Sequence, residues 1–97
     1  MTIYIVAQIN IHDREAYSVY EAGFAEIFQR HQGRMLAVDE DPHLLEGQWS
    51  HTRTVLIEFP DKDAALAWYQ SDEYQTLAEH RFAASVANTV ILSGLNQ

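Results

Sequence analysis

The sequence predicts one α+β domain of order β-α-β-β-α-β, with its strands in a four-stranded antiparallel sheet. Three observations carry this. β-branched residues recur from Ile3 to Ile11, and apolar residues at helical spacing run from Tyr17 to His31. The stretch from Glu58 to Arg81 then reads as a strand end, a proline stop, a helix, a break at Ser71-Asp72 and a second helix.

Each element has a local reason. Ile3 to Ile11 is the first strand, with Tyr4, Val6, Gln8 and Asn10 between its β-branched residues. Asp13 is the expected N-cap of the helix whose apolar side carries Tyr17, Tyr20, Phe24, Ile27, Phe28 and His31. Gly33 is expected to end it in the left-handed conformation. Met35 to Val38 forms a short strand leading into the acidic loop Asp39-Glu40-Asp41-Pro42, and Thr52 to Phe59 forms the third. Pro60 stops that strand, and Asp61 caps a helix carrying Ala64, Ala65, Leu66 and Trp68. Ser71 recaps the chain before a helix whose stripe holds Tyr74, Leu77, Ala78 and Arg81, and Val86 to Ser93 is the last strand. Two βαβ halves in this order make the ferredoxin-like arrangement, here a single domain over residues 1–97.

Helices cover only one face of such a sheet, so a wet second face requires alternating apolar and polar residues. Ile3-Tyr4-Ile5-Val6-Ala7, Val55-Leu56-Ile57 and Val90-Ile91-Leu92 do not alternate. The second face therefore needs a cover, and the simplest is another copy of the same sheet, giving a homodimer through sheet faces.

Composition narrows the partners. The formal charge is −8, with 14 acidic residues against 6 Lys and Arg, so phosphate backbones are repelled and no nucleic-acid partner is expected. No apolar run approaches a membrane span, and Met1-Thr2-Ile3-Tyr4 lacks the basic flank and apolar core of a signal peptide. A cytoplasmic protein is expected. The absence of cysteine removes disulfides, thiolate nucleophiles and Cys-type zinc sites.

Arg81 is the leading site residue, because it shares the helical stripe of Tyr74, Leu77 and Ala78 and so points coreward. A buried guanidinium must meet a carboxylate or a ligand anion. It is read either as the anchor of a substrate anion or as the partner of Glu46 or Glu58, the candidate acids or bases. Tyr17, Tyr20, Trp68, Tyr69 and Tyr74 are the candidate ligand-binding residues, since aromatics with polar tips suit a planar organic molecule; the alternative is core filling. Ser71 is read as a cap, with no adjacent histidine to activate it. His43, Glu46 and His51 share one loop but match no metal-ligand spacing, so no metal is expected; His12-Asp13 diverges at a strand-to-helix turn, and His80 points off the apolar stripe. Asp39-Glu40-Asp41 lacks the glycine turn and distal glutamate of a calcium loop.

Glu46-Gly47, Glu58-Phe59-Pro60, Ala67-Trp68-Tyr69, Ser71, Glu73-Tyr74-Gln75 and Arg81 resemble the family called domain of unknown function 1330. The resemblance covers essentially the whole chain and implies the dimeric α+β barrel superfamily. That superfamily includes cofactor-independent and haem-degrading monooxygenases and small stress-responsive proteins, some using an Asn, a Trp and a His; Gln8 or Asn10, Trp68 and His80 match that set poorly. The expected function is a small dimer, either a cofactor-independent enzyme acting on an aromatic or enolisable acid or a non-catalytic small-molecule-binding or stress-associated dimer.

Overall fold

Three side-chain caps set the helix starts. The Asp13 carboxylate accepts from the Ala16 amide at 3.0 Å, Asp61 from the Ala64 amide at 2.7 Å, and the Ser71 hydroxyl from the Tyr74 amide at 3.1 Å. In the computed structural model, which describes residues 1–49 and 52–95, these caps open α1 (Arg14–Arg30), α2 (Lys62–Tyr69) and α3 (Asp72–Ala84). The strands are β1 (Ile3–Ile11), β2 (Arg34–Asp39), β3 (Arg53–Phe59) and β4 (Ser85–Ser93).

The sheet order is β2-β3-β1-β4 with every neighbouring pair antiparallel, which is the ferredoxin-like α+β fold expected from the sequence. Ile5 stands opposite Ile57 on one side and Ile91 on the other, so the centre of the sheet is a row of isoleucines. Pairing of β2 with β3 slips between Met35 and Ala37, a bulge that leaves one residue of β2 unpaired.

The odd residues of β1 and β3 face the helices. Ile3, Ile5, Ile9, Ile57 and Phe59 are all buried there, against Tyr17, Phe28, Trp68 and Tyr74. Each such apolar side chain contributes about 1.5–3 kcal/mol by leaving water. Ala65, Ala78 and Ala84 are fully enclosed, and their small size lets the helices pack close to the sheet.

The left-handed residue after α1 is Gln32, with φ 67°, and not Gly33 as expected. Gly33 is required for a different reason. A Cβ there would run into the ring of Phe28, which is itself held in the core beside Phe59 and Trp68. Its amide also bonds the Phe28 carbonyl at 3.2 Å, closing the end of the helix.

The even residues of the central strands form the opposite face, where no helix lies. Tyr4, Val6 and Leu56 are half-buried by their neighbours, while Val86, Val90 and Leu92 of β4 are exposed. Among the described residues no helix is long and apolar enough to cross a membrane.

Candidate functional site

The break between α2 and α3 shapes the site. The Ser71 hydroxyl donates to the Trp68 carbonyl at 2.8 Å while accepting from the Tyr74 amide, so both its bonds are structural. Gln75 Nε2 donates to the Tyr69 carbonyl at 2.6 Å and braces the same corner. The turn brings the Trp68 and Tyr74 rings to 4.2 Å between centroids, with Tyr69 5.6 Å from Tyr74.

Between these rings, α1 and the sheet lies a cavity of about 150 Å³. Ile5, Ala7, Ile9, Val55 and Ile57 form its floor, and Tyr17, Tyr20, Phe24, Trp68, Tyr69, Tyr74 and Arg81 its walls. All five aromatic residues named from the sequence therefore line one space. Tyr69 is the most open of them, at 36% exposure.

Arg81 enters from α3, two turns beyond Tyr74, and only 8% of its surface is exposed. Its guanidinium lies 5.8 Å from the Tyr20 ring centroid and 4.8 Å from that of Phe82. No carboxylate among the described residues is within ion-pair distance of it. Burial acts to lower its pKa, but the neighbouring phenols of Tyr74 and Tyr20 outweigh this and the net direction is upward. The guanidinium stays charged at any physiological pH.

Above it, the hydroxyls of Tyr20 and Tyr74 are 2.8 Å apart. Burial pushes the Tyr20 phenol far above its ordinary range, and the Tyr74 hydroxyl adds to this. Burial raises Tyr17 as well, partly offset by Arg53 and Arg81. The Trp68 indole N–H is buried without an acceptor.

A second arginine lines the same cavity. Arg53 lines the cavity with its guanidinium 5.8 Å from the Tyr17 ring, but it is neutralised: Nη1 is 2.7 Å from Glu40 and 3.5 Å from Glu21. Arg14 joins Glu40 at 3.0 Å, and hydrogen bonds from Arg14 and Arg53 hold the Glu40 carboxyl below its usual range.

The two acids proposed from sequence are elsewhere. Glu58 pairs with Arg34 at 3.2 Å across the β2–β3 ladder, on the sheet face away from the cavity, and Glu46 is exposed in the segment between β2 and β3. Neither lines the cavity, so neither is Arg81's partner, and the alternating side chains of β3 explain it for Glu58. The carboxylate that does line the cavity is Glu21. Gln8 and Asn10 also point away from it, and His80 is exposed, so the Asn, Trp and His set of the monooxygenases is not assembled around Trp68. Among the described residues no group of three His, Cys, Asp or Glu side chains is gathered where a metal could sit; His51 lies outside the described residues.

Glu21 and Arg53 were missed because charged residues read as solvated. A signal existed for both: Glu21 is one turn from Tyr17, and Arg53 is in phase with Val55, Ile57 and Phe59.

The model of the family described as domain of unknown function (DUF1330) matches residues 2–95. The chain is a member of the DUF1330 family. No curated protein matches it. Among solved structures, this DUF1330 chain is similar to a protein of unknown function from Rhodopseudomonas palustris, at 18% identity and a TM-score of 0.84, covering 99% of this chain and 84% of that one. It is similar to SnoaB, a cofactor-independent oxygenase from Streptomyces nogalater, at 19% identity and a TM-score of 0.68, covering 99% and 95%. A dimeric ferredoxin-like protein of unknown function from Jannaschia sp. CCS1 has 16% identity and a TM-score of 0.68, covering 97% and 100%. At these identities the likeness is one of fold.

Proposed function

We propose that this DUF1330 protein is a homodimer that takes a small aromatic or enolisable acid into the cavity, with Arg81 holding the anion. The observation that carries the reading is the Arg81 guanidinium itself: 8% exposed, in the cavity wall, with no carboxylate to neutralise it among the described residues. A buried charge without a partner is costly, and a ligand anion removes that cost. Tyr17, Tyr20, Trp68, Tyr69 and Tyr74 supply a planar, amphipathic lining.

Such an arrangement supports cofactor-independent chemistry. Charge that develops on an enolate or carboxylate oxygen is stabilised by the buried Arg81 guanidinium. Glu21 is the acid or base in reach of the cavity, in place of Glu46 and Glu58. The oxygenase SnoaB, of like fold, is described as cofactor-independent, which is compatible with this reading.

A second reading is a binding protein without turnover. It is favoured by the Arg53–Glu21 contact at 3.5 Å, which engages the carboxylate that proton abstraction needs. The deciding experiment is deuterium exchange at the α-carbon of arylacetic acids and the benzylic β-carbon of arylpyruvic acids, followed by NMR. Exchange above the buffer rate that is lost in Arg81→Met and Glu21→Gln supports catalysis. Saturable binding without exchange supports the second reading, and no binding of any acid overturns both.

A further inference from the structure

The geometry points to a one-ring aromatic monoanion as the ligand of this cavity, an inference that rests on the reading of Arg81 as the anion site. Size limits the ring count. The cavity encloses about 150 Å³, and an apolar protein cavity of about that volume accommodates a single benzene ring. A fused second ring finds no space toward the floor of Ile5, Val55 and Ile57, where the strands are locked by the ladder of β1 and β3, and has to project into solvent past Tyr69, without contacts to its faces.

Charge limits the ligand to one negative group. Arg81 is the uncompensated cation of the cavity, whereas Arg53 is already matched by Glu21 and Glu40. A second anionic group beside Arg53 meets those carboxylates and is repelled. A neutral ligand leaves the guanidinium buried and unpaired, so it gains the ring contacts alone.

Hydrogen-bond chemistry limits the polar end to acceptors. The buried cavity-lining atoms without a partner are donors, the Trp68 indole N–H and Arg53 Nε, and the Arg81 guanidinium, hydrogen-bonded to Tyr74, keeps further N–H donors. One of the Tyr20 and Tyr74 hydroxyls donates to the other, and Tyr74 is also hydrogen-bonded to Arg81. A carboxylate or phenolate offers acceptors and no donor, and the guanidinium fork binds a carboxylate through two parallel bonds. The ring then rests against Phe24 and Trp68, whose centroids are 6.1 Å apart edge to face.

The test is calorimetric titration of the intact protein with benzoate, benzamide, phthalate and 2-naphthoate, repeated on Arg81→Met and Arg81→Lys. Benzoate is expected to bind about tenfold or more tightly than the other three. Arg81→Met is expected to bind benzamide as the native protein does and to lose the preference for benzoate, which shows a cavity intact and the anion site gone. Arg81→Lys keeps the charge and retains the preference in weaker form. If phthalate or 2-naphthoate binds as tightly as benzoate and needs Arg81, the one-ring monoanion inference falls and the anion site stands. If benzamide equals benzoate, or no anion binds, the anion site falls with it.

Discussion

The hydroxyls of Tyr20 and Tyr74 meet at 2.8 Å, 54 residues apart in sequence, and join α1 to α3 over the cavity. Both residues are almost wholly buried, at 7% and 2% exposure. Removing one hydroxyl takes from the other its partner across the helices, at a cost of about 1–3 kcal/mol, whereas removing both loses that one bond only once. Urea unfolding of Tyr20→Phe, Tyr74→Phe and the double variant is the measurement. The double variant is expected to be less destabilised than the sum of the singles; strict additivity would show that the pair is not coupled in solution.

The same burial predicts an alkaline limit. Tyr17 and Tyr20 have pKa values raised in the folded protein, chiefly by burial, while in the unfolded chain they titrate near the ordinary value of about 10. Below that value both states hold the proton and the contribution to stability is fully present. Above it the unfolded state releases protons first, so stability falls as pH rises toward the folded values. The urea midpoint is expected to decline beyond about pH 10, and less steeply in Tyr20→Phe. An identical decline in that variant would assign the alkaline limit to other groups.

Arg81 carries a second consequence. If its charge is unpaired in the empty protein, then Arg81→Met, which keeps length and flexibility, removes a desolvation penalty. The variant is expected to be more stable than the native protein by about 1–3 kcal/mol in ligand-free buffer, while losing the affinity for anions. Differential scanning calorimetry on extensively dialysed protein reads this directly. A loss of stability instead would mean that Arg81 already has a partner, and the anion reading would lose its basis.

Why some of this was legible in the sequence and some was not follows from where each signal resides. The fold was written locally: Asp13, Asp61 and Ser71 are caps whose chemistry acts within three residues, and the strand pattern needs no distant partner. The coreward position of Arg81 followed from its spacing to Tyr74. Its relation to Glu58 did not, because Glu58's partner is chosen by the β2–β3 register, which sets it beside Arg34. Glu46 lies in a segment without periodicity, so nothing local could orient it. Gly33 was expected to supply a left-handed turn and instead makes room for the Phe28 ring, a packing fact visible only in three dimensions. The volume of the cavity belongs to the same class.

The proposed dimer can be tested on the sheet face itself. Val86, Val90 and Leu92 of β4 are 65%, 53% and 47% exposed, and Val6 and Leu56 continue the same apolar surface across β1 and β3. A face of this kind marks an interface, and pairing two such faces removes apolar surface from water on both. A lysine at its centre has to be desolvated beside its own symmetry copy, and like charges at such a contact cost several kcal/mol. Val90→Lys is therefore expected to elute at the single-chain mass in light-scattering chromatography while retaining native circular dichroism. Val19→Lys, at an exposed position of α1, is expected to leave the mass unchanged. If the native protein already elutes as a single chain, or Val90→Lys elutes with it as a dimer, the sheet face is not the interface.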